Sequence, residues 1–332
     1  MHENDSIESW FWWLGWCLFL LLLLFNGWAC SGAGKGRGSA AVAAQQPFIA
    51  TSAMRLRDPF ILYDRRSGKY YTYVNNRPSI KAYRSSDLEQ WEPVGNVFTA
   101  DTSFWGKQDF WAPDCYYYQG KYYLFVTFSG SNRMRGTSVL VADAPDQQFR
   151  PLVNAPVTPA HWMCLDASLY IDKDDTPWIL FSREWLEVTD GEIYAQQMSR
   201  NLKNAAGEPV LLFRASEAPW VKAIYSRELN KKGMITDAPF IHRVNKDKLV
   251  MLWSSFDKNG RYAMGAAYAP SGKVTGPWIQ SDTALNNDDG GHGMLFYDKA
   301  RQLKISYHAP NAGLGHLIIR NATIEKEHLS LQ

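Results

Sequence analysis

The chain has 332 residues, 46% of them hydrophobic and 14% aromatic with only 20% charged, a balance that allows one large core and supplies many stacking surfaces. Its formal charge is +2 and becomes +5 once the first 29 residues, with Glu3, Asp5, Glu8 and no Lys or Arg, are set aside. That charge is spread out, and no basic stripe is interleaved with aromatics, which argues against nucleic acid as a partner.

From Trp10 to Phe25 the chain is continuously apolar, and GWACSG follows. Residues 1–30 therefore read as an export leader. The GWACSG tail resembles a bacterial lipoprotein cleavage site in which Cys30 would carry lipid, placing the protein in the periplasm or at the cell surface. The acidic start MHENDSIES and the bulky Trp28 depart from that pattern, and an uncleaved anchor is the alternative. Residues 31–52 read as a flexible linker. Their GAGKGRGS run follows no strand and lacks the Lys-Ser pair that a phosphate-cradling loop needs.

Beyond residue 53 short strands are bounded by Gly, Asp, Asn and Pro, and no helical periodicity persists, so the fold is all-β. Five times a polar residue opens an apolar strand, a turn follows, and an aromatic-rich strand returns. The openers are Asp58, Asp114, Asp166, Asp237 and His292, at intervals of 56, 52, 71 and 55 residues. Each unit has a second strand pair, beginning at Ser79, Thr137, Glu192, Tyr262 and Gly315. Four strands repeated five times predict a five-bladed β-propeller over residues 53–322, with 323–332 as a tail. Such a fold directs the openers toward one axis, where gathered carboxylates shift one another's pKa values. Cys115 and Cys164, the two cysteines of the folded part, are expected to be buried and unpaired.

The motifs RDPF at Arg57, WAPD at Trp111, LDASLYID at Leu165, TDAPF at Thr236 and GGHG at Gly290, in this order, are together similar to glycoside hydrolase family 43. The resemblance implies a five-bladed propeller that hydrolyses pentosides with inversion. It gives Asp58 the role of general base and Asp166 that of a third carboxylate that tunes the acid. Asp237 takes the general acid's place, where most members carry Glu. Glu184 in SREWLEV is the reserve acid, with a loop-holding residue as the equal alternative. Trp111, Asp114, Glu184 and Trp185 are expected at the substrate, and His292 at a calcium ion or ordered water near the channel. No other cofactor is implied.

The leading expectation is an exported, exo-acting α-L-arabinofuranosidase trimming plant polysaccharide or oligosaccharide. A β-xylosidase and a non-catalytic glycan-binding propeller are the alternatives. A related clan of fructan-cleaving propellers shares the RDP motif but adds NDP and EC segments that this chain lacks.

Overall fold

The computed structural model describes residues 47–332, apart from positions 132 and 228. The leader, Cys30 and most of the expected linker lie outside the described residues. Five antiparallel sheets follow one another along the chain. Blade one holds β1 (Ile49–Ala50), β2 (Leu62–Asp64), β3 (Lys69–Asn76), β4 (Ser79–Ser85) and β5 (Gln90–Thr99), with β1 outermost beside β5. Blade two holds β6 (Gln108–Tyr118), β7 (Lys121–Gly130), β8 (Arg133–Ala142) and β9 (Arg150–Pro151). Blade three holds β10 (Cys164–Ile171), β11 (Pro177–Arg183), β12 (Glu192–Gln197) and β13 (Val210–Arg214), with a short helix α1 (Trp185–Val188) between β11 and β12. A separate hairpin, β14 (Ile224–Ser226) and β15 (Lys231–Gly233), precedes blade four, which holds β16 (Asp237–Asn245), β17 (Lys248–Phe256), β18 (Tyr262–Ala269) and β19 (Ile279–Gln280). Blade five holds β20 (Gly291–Tyr297), β21 (Leu303–Ala309), β22 (His316–Glu325) and β23 (His328–Leu331). The five-bladed propeller expected from the repeats is therefore present.

Two expected boundaries shift. The linker was expected to reach residue 52, yet Ile49 and Ala50 pair with Trp91 and Gln90. The tail from 323 is no tail, because Ala322, Thr323, Ile324 and Glu325 pair with Leu331, Ser330, Leu329 and His328 to complete the last blade. An exposed outer strand alternates too weakly to stand out in sequence, and only its pairing partner reveals it.

The core is divided among the blade junctions, as radial packing requires. Tyr73, Ile80 and Val97 of blade one meet Phe110, Leu124 and Phe128 of blade two. Ile193 and Phe213 of blade three meet Met251 and Trp253 of blade four. Among the described residues the ring closes without strand exchange, by packing Phe60, Ile61 and Tyr70 against Met294, Phe296 and Leu317. Backbone and side-chain bonds support this closure: Leu317 N–H donates to the Met54 carbonyl at 3.0 Å, and Ser306 Oγ donates to the Pro59 carbonyl at 2.8 Å. Cys115 and Cys164 are both buried and free, as expected.

One backbone irregularity recurs at the entry to each inner strand. Asp58, Ala112, Asp166, Ala238 and His292 all have positive φ, between 45° and 56°. These positions are 54, 54, 72 and 54 residues apart, a more regular spacing than that of the polar openers. In blades two to five a register shift spans the same site, between Trp111 and Asp114, Leu165 and Ser168, Asp237 and Phe240, and Gly291 and Met294. A bulge of this kind bends the strand and re-aims its side chains. Blade three is longer by 18 residues, because α1 and the β14–β15 hairpin lie within that interval.

Candidate active site

The bulges aim alternate residues at the axis. Asp58, Asp166 and His292 occupy the positive-φ position, which Asp and His tolerate better than most side chains. Asp237 stands one residue before it and Asp114 two residues after it, so the five openers are not structurally equivalent.

Asp58, Asp166 and Asp237 are nevertheless joined by a closed circuit of contacts. His292 Nδ1 lies 3.1 Å from Asp58 Oδ1 and 3.7 Å from Asp166 Oδ2. Asp166 Oδ2 accepts the Ala238 N–H at 3.3 Å, adjacent to Asp237. Asp237 Oδ2 accepts the Tyr262 hydroxyl at 3.0 Å, and the Tyr262 ring stacks on His308 with centroids 5.8 Å apart. His308 Nδ1 accepts the Asp58 N–H at 3.2 Å and completes the ring. Because that nitrogen is an acceptor and burial holds His308 down at about 4, its 3.4 Å approach to Asp58 Oδ1 is not an ion pair.

The protonation pattern follows from this packing. Burial opposes charge on His292, but Asp58, Asp166 and Asp114 more than compensate and raise it to about 10. Burial also pushes Asp58 upward, yet the His292 charge and hydrogen bond hold its carboxyl well below the usual carboxylate range. Burial pushes Asp166 far up, with Asp237, Asp58 and Asp114 adding to that effect against His292. Asp237 is raised to about 6, mainly by burial, while His292 and the Tyr262 hydrogen bond pull the other way. At neutral pH the centre thus holds one tight Asp58–His292 ion pair, and the Asp166 carboxyl is driven toward its protonated form.

The remaining expected residues divide. Asp114 is 9% exposed, accepts the Tyr116 hydroxyl at 3.2 Å, and is raised to about 7 by burial; it lines an axial cavity with Asp166, His292 and Phe240. Trp111 is 37% exposed at the mouth, with the Arg135 guanidinium 4.3 Å from its ring centroid. Trp185 does not present a face to sugar, because it is buried beneath Gly233 and Lys231. Glu184 is 5% exposed, bonded through Oε1 to Arg135, and raised to about 7 chiefly by burial, with Asp237 and Asp109 adding to the shift.

Calcium does not fit His292 Nδ1. This nitrogen faces two carboxyl groups and carries a proton, whereas Ca²⁺ takes oxygen ligands. Among the described residues no group of three His, Cys, Asp or Glu side chains converges as a metal cage.

Sequence reasoning missed Arg135, Asp109, Tyr262 and His308. Arg135 Nε donates to Asp109 Oδ2 at 2.9 Å while the same guanidinium reaches Glu184, linking blades two and three at the mouth. The 54-residue spacing of the axial positions, broken only by the 72 across blade three, was a usable signal, since it separates Ala112 and Ala238 from their acidic neighbours.

A five-bladed propeller that gathers Asp58, Asp166 and Asp237 around a buried histidine has the kind of paired carboxyl groups that glycoside hydrolysis uses. A sequence model described as "Glycosyl hydrolases family 43" matches residues 45–328, and the chain belongs to that family. It is 25% identical over 276 residues to the extracellular endo-alpha-(1->5)-L-arabinanase 1 of Bacillus subtilis (strain 168), covering 76% of both chains. It is 23% identical over 268 residues to the extracellular exo-alpha-(1->5)-L-arabinofuranosidase ArbA of Cellvibrio japonicus (strain Ueda107), covering 76% of this chain and 72% of that one. The crystal structure of an endo-arabinase from Bacteroides thetaiotaomicron VPI-5482 superposes with a TM-score of 0.83 at 54% identity, covering 85% of this chain and 99% of the other.

Proposed function

We propose that this glycosidase is exported and hydrolyses α-1,5-linked L-arabinofuranosyl units of arabinan with inversion, cutting within the polymer. The observation that carries the reading is the circuit from Asp58 through His292, Asp166, Asp237 and Tyr262 to His308, which gathers the chemistry at one mouth.

Inversion needs a base that is ionised before water arrives and an acid that still holds its proton. His292 keeps Asp58 ionised, which suits Asp58 as the base that takes a proton from the attacking water. Asp166, in contact with His292 and accepting the Ala238 N–H beside Asp237, suits the third carboxyl that orients the acid's segment. The family pattern gives the acid's place to Asp237. Internal cleavage, in place of the exo action expected from sequence, is supported by a groove of about 480 Å³ beside Arg135, between residues 133–136 and 156–161, and by the endo-arabinase likeness. Export is supported by the apolar leader and by the extracellular names of two relatives. Lipid on Cys30 remains part of this proposal.

Incubating purified protein with linear α-1,5-arabinan tests the reading. Arabino-oligosaccharides of mixed length should appear before arabinose, and NMR of the first product should show the β-anomer. Release of pentose from xylan alone, or no release from either polymer, refutes it.

A further inference from the structure

We propose that Glu184, not Asp237, is the general acid that protonates the leaving oxygen. The inference rests on the hydrolase reading above and names a different proton donor within it.

Geometry separates the two carboxyls. Asp237 is short, begins β16, and is tethered by the Tyr262 hydroxyl, a donor that favours its ionised form. Glu184 is one methylene longer and stands at the junction of three blades. Its N–H donates to the Met163 carbonyl at 2.8 Å, in the segment that enters Asp166. It caps α1, and the turn after that helix pairs Asp190 with Met234, in the segment that enters Asp237. Through Arg135 it is tied to Asp109, in the segment that enters Ala112. The backbone thus fixes Glu184 at the end of the channel where Asp166 and Asp237 begin their strands.

The carboxyl itself is incomplete. Oε1 is paired with Arg135, but Oε2 is buried without a hydrogen-bond partner among the described residues, in a side chain only 5% exposed. A buried carboxylate oxygen left unpaired is costly, and a proton on Oε2 removes that cost while creating a donor. Burial together with the nearby Asp237 and Asp109 charges raises this group to about 7 against Arg135, so that a proton is still available on it near neutrality. Asp237 then acts as a positioning residue, its charge sustaining the proton on Glu184.

In the reaction, the Glu184 proton passes to the glycosidic oxygen as the C1–O bond breaks, and that oxygen keeps the bonding electron pair. Water attacks C1 from the opposite face and loses a proton to Asp58. The products are an inverted pentose end and an alcohol. Asp58 ends protonated and Glu184 ionised, and exchange with solvent restores both.

The test compares Glu184→Gln and Asp237→Asn on aryl α-L-arabinofuranosides and aryl α-1,5-arabinotriosides that carry 2,4-dinitrophenol or 4-methoxyphenol. Matching xylosides serve if the wild type prefers them. A poor leaving group needs the acid and a good one does not. Glu184→Gln should lower kcat/KM about 10²–10⁴-fold for the methoxyphenyl glycosides and less than about 10-fold for the dinitrophenyl ones. It should also abolish the alkaline limb of the pH profile. Assayed on the acidic side of the pH profile, where Glu184 holds its proton with or without the Asp237 charge, Asp237→Asn should lower both substrates by one common factor. The ratio between leaving groups is internal to each protein, so partial misfolding does not disturb it. Equal losses for Glu184→Gln, or leaving-group selectivity in Asp237→Asn, overturn the assignment. Cleavage of xylosides alone refutes the arabinan reading but still decides the acid. A wild type that cleaves neither glycoside overturns both.

Discussion

Replacing His292 by Gln keeps a hydrogen-bond donor and removes the charge that holds Asp58 ionised. At 3.1 Å and an effective dielectric near 20, the pair attraction is about 332/(20 × 3.1), or roughly 5 kcal/mol, equivalent to nearly 4 pKa units as an upper bound. Allowing for water entry, we expect the acidic limb of kcat/KM on arabinan to move up by about 2–3 units toward the ordinary carboxylate value near 4, so that the loss of activity falls below about pH 5 and activity near pH 6 stays close to wild type. Stability should change in the same experiment. The folded-state pKa of His292, about 10, lies above the 6.5 of a free imidazole. Its contribution is therefore complete below about 6.5 and is lost as pH climbs through about 10. That difference amounts to about 5 kcal/mol at most, which for a unit spanning Gln45–Gln332 corresponds to about 8 °C in Tm. Wild-type Tm should fall between neutral pH and pH 10, and the Gln variant should lack that part of the decline. An acidic limb within half a unit of wild type would refute the reasoning, because the ion pair would then not be setting the state of Asp58.

Asp58→Asn should reduce turnover on arabinan about 10²–10⁴-fold while leaving the calorimetric affinity for arabino-oligosaccharides close to wild type; turnover within a factor of five removes Asp58 from the base role. Gly265→Ala tests the junction of blades three and four, since a Cβ there would lie 2.2 Å from Cζ2 of the buried Trp220. We expect a loss of about 1–3 kcal/mol, roughly 2–5 °C in Tm, with kcat unchanged; an unchanged melting curve would show that the Trp220 side of the junction yields freely.

Strand–turn–strand repetition was legible because each blade must alternate apolar and polar residues and must turn tightly, and both demands are local. The convergence of the openers was also legible, since Asp58, Asp166 and Asp237 meet around His292 and Ala238 as the repeat implied. The register was not. Ala112 and Ala238 occupy the axial conformation that Asp58, Asp166 and His292 occupy elsewhere, because the bulge position is set by strand pairing and not by the residue placed on it. Trp185 looked like a stacking residue until α1 and Gly233 enclosed it.

The amino-acid sequence by itself determined five blades, a polar axis and the supply of carboxyl groups, since periodicity and turn chemistry act between near neighbours. The tertiary structure decided which group keeps its proton and which loses it. His292 reaches Asp58 across 234 positions of chain, and Arg135 reaches Glu184 across 49. Charge, burial and missing partners are properties of such meetings, and they exist only after the ring has closed.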